Sequence, residues 1–192
     1  MLLTLLMEGN VKSGATAILA VLAVTLTTLT PVSAGWDPKK EEKELENANE
    51  AIAAFKKKDP SLKTFFDKAH AYVVFPKIAK GGIGIGGAHG KGLVFKNSQV
   101  IGRATLSQGT VGFQLGGQVY SELIFFKDAA TLKSLTEGKM EFAAQATAVA
   151  ADAGVAANAD YKGGVAVFTL AKGGLMYEAS IGGQKFSYEP KK

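Results

Sequence analysis

Gly82-x-Gly84-x-x-Gly87, directly after the apolar run AYVVF, is a spacing in this 192-residue chain that matches a phosphate-binding fingerprint. Such a loop holds a pyrophosphate where a helix opens at its last glycine, so that backbone N–H groups and the positive helix end meet the anion. Here Gly90, Gly92 and Leu93-Val94-Phe95 continue as strand, and the dinucleotide reading fails on context. The Walker A pattern fails as well, because Ile85 stands where a glycine is required and Gly92 follows Lys91 in place of Ser or Thr. His70 and His89 are the only imidazoles and there is no cysteine, so the chain lacks metal-ligand spacing and a thiolate nucleophile. Ser107, Ser121 and Ser180 lack the GxSxG elbow. Glu122 and Glu141 border strands and could face each other, but an ion pair with Lys127, Lys139 or Arg103 accounts for them equally well. The residues point to no cofactor, no metal and no enzyme.

What survives is a set of cations among glycines and aromatics: Lys77, Lys80, Lys91, Lys96, Arg103, Lys162, Lys172 and Lys185. The formal net charge is +5, too mild for a nucleic-acid footprint and compatible with attraction to an anionic surface. Residues 37–68 hold eight Lys and eight Asp+Glu, so the excess charge belongs to the chain beyond Lys68. If several of these cations share a face, each adds ~1 kcal/mol of attraction to an anionic membrane. A rim of scattered, solvated lysines is the equal alternative.

The elements that must position these residues are legible in outline. Asp37-Pro38 opens a helix with Asp as N-cap and Pro at its first position, and Leu45, Ala48, Ile52 and Phe55 fall on one arc of it. Asp59-Pro60 repeats the device for a short helix, Ser61 to Ala69, with Leu62, Phe65, Phe66 and Ala69 on one side. From Tyr72 to Phe126 the runs AYVVFP, KGGIGIGGAHGKGLVF, KNSQVIGRATL, SQGTVGFQLGGQ and VYSELIFF predict consecutive short antiparallel strands, with a break at Pro76-Lys77. Lys77, Lys80 and Lys91 would then meet at the ends of neighbouring strands. Asp128 caps a helix over Ala129–Thr136 that stops at Gly138. The alternation in Lys139–Ala150 predicts a strand, and Val165–Leu170, Leu175–Ser180 and Lys185–Tyr188 predict two hairpins through the Gly-Gly turns between them. The fold class is α+β: a curved antiparallel sheet or barrel of many short strands, with two N-terminal helices (about 38–69) and one mid-chain helix packed on a β-rich part (70–189).

Ahead of this lies export grammar. Lys12 supplies the early charge, Ala15–Leu29 the uncharged run, and Val32 and Ala34 the small residues of a cleavage before Gly35. Residues 1–34 thus read as a removed signal peptide, with translation starting at Met1 or Met7. The run is short, and threonine-diluted, for a ~20-residue membrane span. The expectation is a single domain over 35–192, periplasmic or secreted.

The segment AYVVFPKIAKGGIGIGGAHGKGLVF with IGRATLSQGTVGFQLGGQVYSELIFF, and the late Lys172-Gly173-Gly174-Leu175, resembles the SYLF domain, over about Ala48 to Tyr188. The chain has Gly102-Arg103-Ala104-Thr105 where many members carry a Trp-Ser-x-Pro-like element. The resemblance implies phospholipid binding without catalysis. It also implies actin binding in fungal members, which an exported chain would meet only outside its own cell, so actin is not carried over. On this reading Lys77, Lys80, Lys91 and Arg103 attract an anionic phospholipid or membrane surface and Phe65-Phe66, or Trp36, offers an apolar edge. The alternative is an envelope structural or adaptor protein that meets a protein partner.

Overall fold

The computed structural model describes residues 38–112, 117–143, 146–172 and 179–191. Helix α1 (Pro38–Lys58) buries Ala48, Ala51 and Phe55, the face expected from its periodicity. A single 3-10 turn (Pro60–Leu62) capped by Asp59 leads into α2 (Lys63–Lys68). Three long strands come next, β1 (Ala71–Lys96), β2 (Gln99–Gly112) and β3 (Gly117–Phe126). Then come α3 (Ala129–Thr136), with Asp128 accepting from Thr131 N, β4 (Thr147–Ala150), a 3-10 turn (Val155–Asn158), β5 (Val165–Ala171), β6 (Ala179–Ser180) and β7 (Gln184–Pro190). Asp37, Trp36, the proposed signal segment and Leu175–Glu178 lie outside the described residues.

The α+β class holds, with corrections. The strands line up in the order β6-β4-β5-β3-β1-β2-β7 as an open sheet, not a closed barrel, and β4 runs parallel to β5, so the sheet is mixed. AYVVF, GIGIGGA and KGLVF are not separate strands of a meander. They are one 26-residue strand whose first part pairs with β3 and whose second part pairs with β2. Glycine permits this. A Cβ on Gly92 would stand 2.3 Å from Val74 O, and one on Gly90 2.6 Å from Ile78 Cγ1, so β1 curves until its two halves lie backbone to backbone. The break at Pro76-Lys77 is a β-bulge between Phe75 and Ile78, where Pro76, lacking an N–H, takes a hydrogen bond on its carbonyl from Ser121 Oγ.

The expected strand over Lys139–Ala150 shrinks to Thr147–Ala150, preceded by an isolated bridge at Glu141. The two late hairpins do not form among the described residues, since β5 is flanked by β3 and β4, β6 pairs with β4, and β7 adds to the edge of β2. Side-chain alternation sends β3 residues to two cores. Tyr120, Ile124 and Phe126 face α3 and the 140–148 segment, while Leu123 and Phe125 face α1 and α2. Covering both faces explains why β3 is buried at every position from Tyr120 to Phe126.

Candidate functional site

Strand alternation also sorts the candidate cations. Lys91 lies on the helix-facing side of β1 with Leu93, and Arg103 stands opposite Leu93 on β2. The bulge after Phe75 turns Lys77 toward the same side. Together with Lys172, which follows β5 and whose N–H donates to Val119 O, they line a cleft of about 510 Å³ between α1 and the sheet. Lys77, Lys91 and Lys172 are exposed. Ala51 and Ala54 of α1, with Leu93 and Leu170, make its apolar lining, and Glu44 and Glu50 of α1 put carboxylates on its helix wall.

Arg103 is committed within this cleft. Its Nε donates to Glu44 Oε2 at 2.6 Å, with both side chains largely withdrawn from water, and Lys191 pairs with Glu41 one turn earlier. These two ion pairs tie α1 to β2 and the end of β7. The solvent-facing positive charge of the cleft therefore belongs to Lys77, Lys91 and Lys172. Lys172 was visible in the sequence, among the cations and at the head of Lys172-Gly173-Gly174-Leu175. The carboxylates of α1 were not, because a neutral amphipathic helix does not say which carboxylates will overhang a cationic strand.

Lys80 is not in this group. Three residues beyond Lys77 and past the bulge, it shares the opposite side with Ile78, where burial lowers its pKa and the charge of Glu122 partly restores it. Phe65 is buried and Phe66 half-buried. They pack in an aromatic cluster with Tyr72, Phe125 and Phe168 at ring-centroid distances of 4.9 to 5.4 Å, with Lys56 Nζ 4.4 Å above the Phe66 ring. The expected apolar edge at Phe65-Phe66 is thus a core contact that fastens α2. The large hydrophobics exposed among the described residues are Ile85, at 79%, on the bend of β1, and Val155.

The residues weighed for catalysis do not converge. Glu122 is fully buried, Glu141 is exposed and paired with Lys185 at 3.6 Å, and His89 is exposed opposite Ser107. After Gly82-x-Gly84-x-x-Gly87 the chain stays in β1, so no helix end meets a phosphate there. Among the described residues no three His, Cys, Asp or Glu are grouped to hold a metal ion, and no helix is long and apolar enough to cross a membrane.

Comparison with known proteins covers part of this region, including Ser121, Leu170 and Lys172 of the cleft. Residues 107–191, which run from β2 through β7, match the Ysc84 family model, described as Las17-binding protein actin regulator. The chain is 27% identical over 142 residues to Beta cell expansion factor A of Aeromonas veronii, an alignment that takes in 72% of this chain and 53% of that protein. The chain thus spans about half the length of the curated relative it matches. Over residues 107–191 the chain is thus similar to the Ysc84, or SYLF, family, a family of binding domains of the lipid- and actin-binding type.

Proposed function

We propose that this SYLF-like domain binds anionic phospholipid at a membrane surface, without chemistry, through the cleft between α1 and the sheet. The observation that carries the reading is the convergence of Lys77, Lys91 and Lys172, three exposed lysines, on one cleft of about 510 Å³ whose remaining wall combines the apolar Ala51, Ala54, Leu93 and Leu170 with the Arg103–Glu44 ion pair and Glu50. Phosphate oxygens would meet the ammonium groups, and the glycerol and proximal acyl carbons would lie against Leu93, Leu170 and the alanines of α1. Residues 1–34 act in this reading as an export signal, and the domain works in the periplasm or outside the cell. A mature chain that begins at Gly35 by mass spectrometry is the expected result, and one that begins at Met1 or Met7 contradicts it.

Co-sedimentation with vesicles tests the binding. The parent should sediment with phosphatidylglycerol-containing vesicles and not with pure phosphatidylcholine. Lys77→Glu/Lys91→Glu/Lys172→Glu should lose at least about a hundredfold in apparent affinity at low salt, since each lysine near the surface contributes ~1 kcal/mol and 1.4 kcal/mol is tenfold. The same reversal at Lys127 and Lys133, exposed residues outside the cleft, should change it far less. Parent and variant should converge at 1 M salt, where the Debye length falls to ~3 Å. Equal sedimentation with neutral and anionic vesicles defeats the proposal. Salt-resistant capture of a protein by parent and variant alike would favour the envelope adaptor instead.

A further inference from the structure

A second and larger cleft, of about 1450 Å³, lies along β5, bounded by β4, the 3-10 turn near residue 155 and the chain from Lys139 to Phe142. Its opening follows from the strand pairing. Among the described residues β4 meets β5 at Val149–Phe168 and Ala150–Thr169, and beyond those pairs Val165 and Val167 of β5 line the cleft instead of a ladder with β4. Leu170 and Ala171, both half-buried, line this cleft and the lysine cleft alike. The two clefts therefore meet where β5 ends.

Their chemistry differs. Met140, Phe142, Val149, Val165, Val167 and Ile181 give the second cleft apolar walls, shared with uncharged polar side chains such as Thr131 and Ser134. Its charges are balanced and largely engaged: Lys58 pairs with Asp152 at 2.9 Å, Lys139 with Glu137 at 2.8 Å and Glu141 with Lys185 at 3.6 Å, while Asp160 and Lys162 add one charge of each sign. Such a cleft has little to offer an ion and much to offer a hydrocarbon chain. Its volume exceeds the roughly 300–1,000 Å³ of ordinary small-molecule pockets, which leaves room for a long ligand.

Read along β5, the lining runs from a cation at Lys172, through the shared Leu170 and Ala171, to the apolar Val167 and Val165. That is the polarity of a lipid molecule. At ~3.3 Å per residue the path from Lys172 to Val165 is about 23 Å, longer than one leaflet's half of a ~30 Å hydrocarbon core. We infer that the two clefts together take one whole lipid out of the bilayer, with its phosphate against Lys77, Lys91 and Lys172 and an acyl chain passing over Leu170 and Ala171 into the second cleft. This inference rests on the phospholipid reading of the lysine cleft and adds to it that the domain holds a lipid monomer, as a carrier does.

Calorimetric titration of the full chain with lysophosphatidylglycerols from octanoyl to myristoyl, each below its micellar concentration, reads the burial of the acyl chain. Affinity should rise about fourfold per added methylene. Ala150→Phe on β4 and Val165→Phe on β5, both at half-buried positions of the second cleft, fill it without touching the three lysines. In each the rise should flatten while co-sedimentation with phosphatidylglycerol vesicles is kept. Either variant suffices if the other does not fold, and the parent series needs neither. A parent that sediments with anionic vesicles yet binds every chain length equally overturns the carrier and leaves the surface reading standing. A parent that binds neither vesicles nor lysolipid removes both, and a rise that persists in both variants places the chain elsewhere and overturns the inference.

Discussion

Asp59 illustrates how far one side chain can reach. Its carboxylate, 0% exposed, accepts from Ser61 N at 3.0 Å and Ser61 Oγ at 2.6 Å within its own cap, and from Gly154 N at 3.1 Å and Ala156 N at 2.8 Å in the 3-10 turn near residue 155. Burial raises its pKa, but the hydrogen bonds outweigh it and hold the carboxyl below the usual carboxylate range. Asp59→Ala leaves three N–H groups without an acceptor in or near the core and should cost about 3 kcal/mol in urea unfolding, well beyond the ~1 kcal/mol of an ordinary N-cap. A loss of ~1 kcal/mol would mean that water replaces the carboxylate toward Gly154 and Ala156. Asp59-Pro60 announces the cap in the sequence, because capping is local chemistry. The other half of the role was hidden, since nothing in the spacing of Asp59 names a partner 95 residues away.

At the scale of the element, β1 accounts for both the success and the failure of the sequence reading. Period-two alternation and β-branched residues marked the stretch as strand, and the two-residue turn at Asn97 and Ser98, both with φ > 0, fell where a polar pair interrupts the pattern. The glycines were read as turns between short strands. Most are paired in the ladder, and their use is closeness, which is invisible until the other half of β1 is in place. Gly92→Ala should therefore cost about 3 kcal/mol, the upper end for overpacking, because its methyl would press on the carbonyl of Val74, which cannot swing away as a side chain could. Gly109→Ala, with nothing within 4 Å of its Cβ, should be neutral or stabilise by about 0.5 kcal/mol. Guanidinium unfolding of the two variants separates the readings, and equal effects would mean that β1 is not folded onto itself. The same parity argument explains the cations: Lys77 and Lys91 reach one cleft and Lys80 does not, since the bulge after Phe75 resets which side each residue faces. The bulge was signalled by Pro76, but its effect on Lys77 needed the register with β3.

For the whole molecule, Asp59 and Glu122, the acids buried among the described residues, set opposite ends of one pH profile. Asp59, with a depressed pKa, contributes stability that is present above its ordinary value of 3.8 and lost as pH falls through the lower folded value. Glu122, raised to about 8, leaves stability intact below 4.5 and erodes it as pH climbs, because the unfolded chain ionises there and the folded one does not. Their sum places the stability maximum near pH 4 to 5, more acidic than the usual range between about 5 and 8. From pH 5 to 8 the decline should reach at most about 4 kcal/mol at ~1.4 kcal/mol per pKa unit. Glu122→Gln should match the parent near pH 5, exceed it by most of that decline at pH 8, and move the maximum toward neutrality. Urea titrations of both proteins at pH 4, 5, 6, 7 and 8 supply the comparison. Parallel profiles would mean that Glu122 is ionised in the folded protein and that Lys80 and Gln184 stabilise it as a carboxylate.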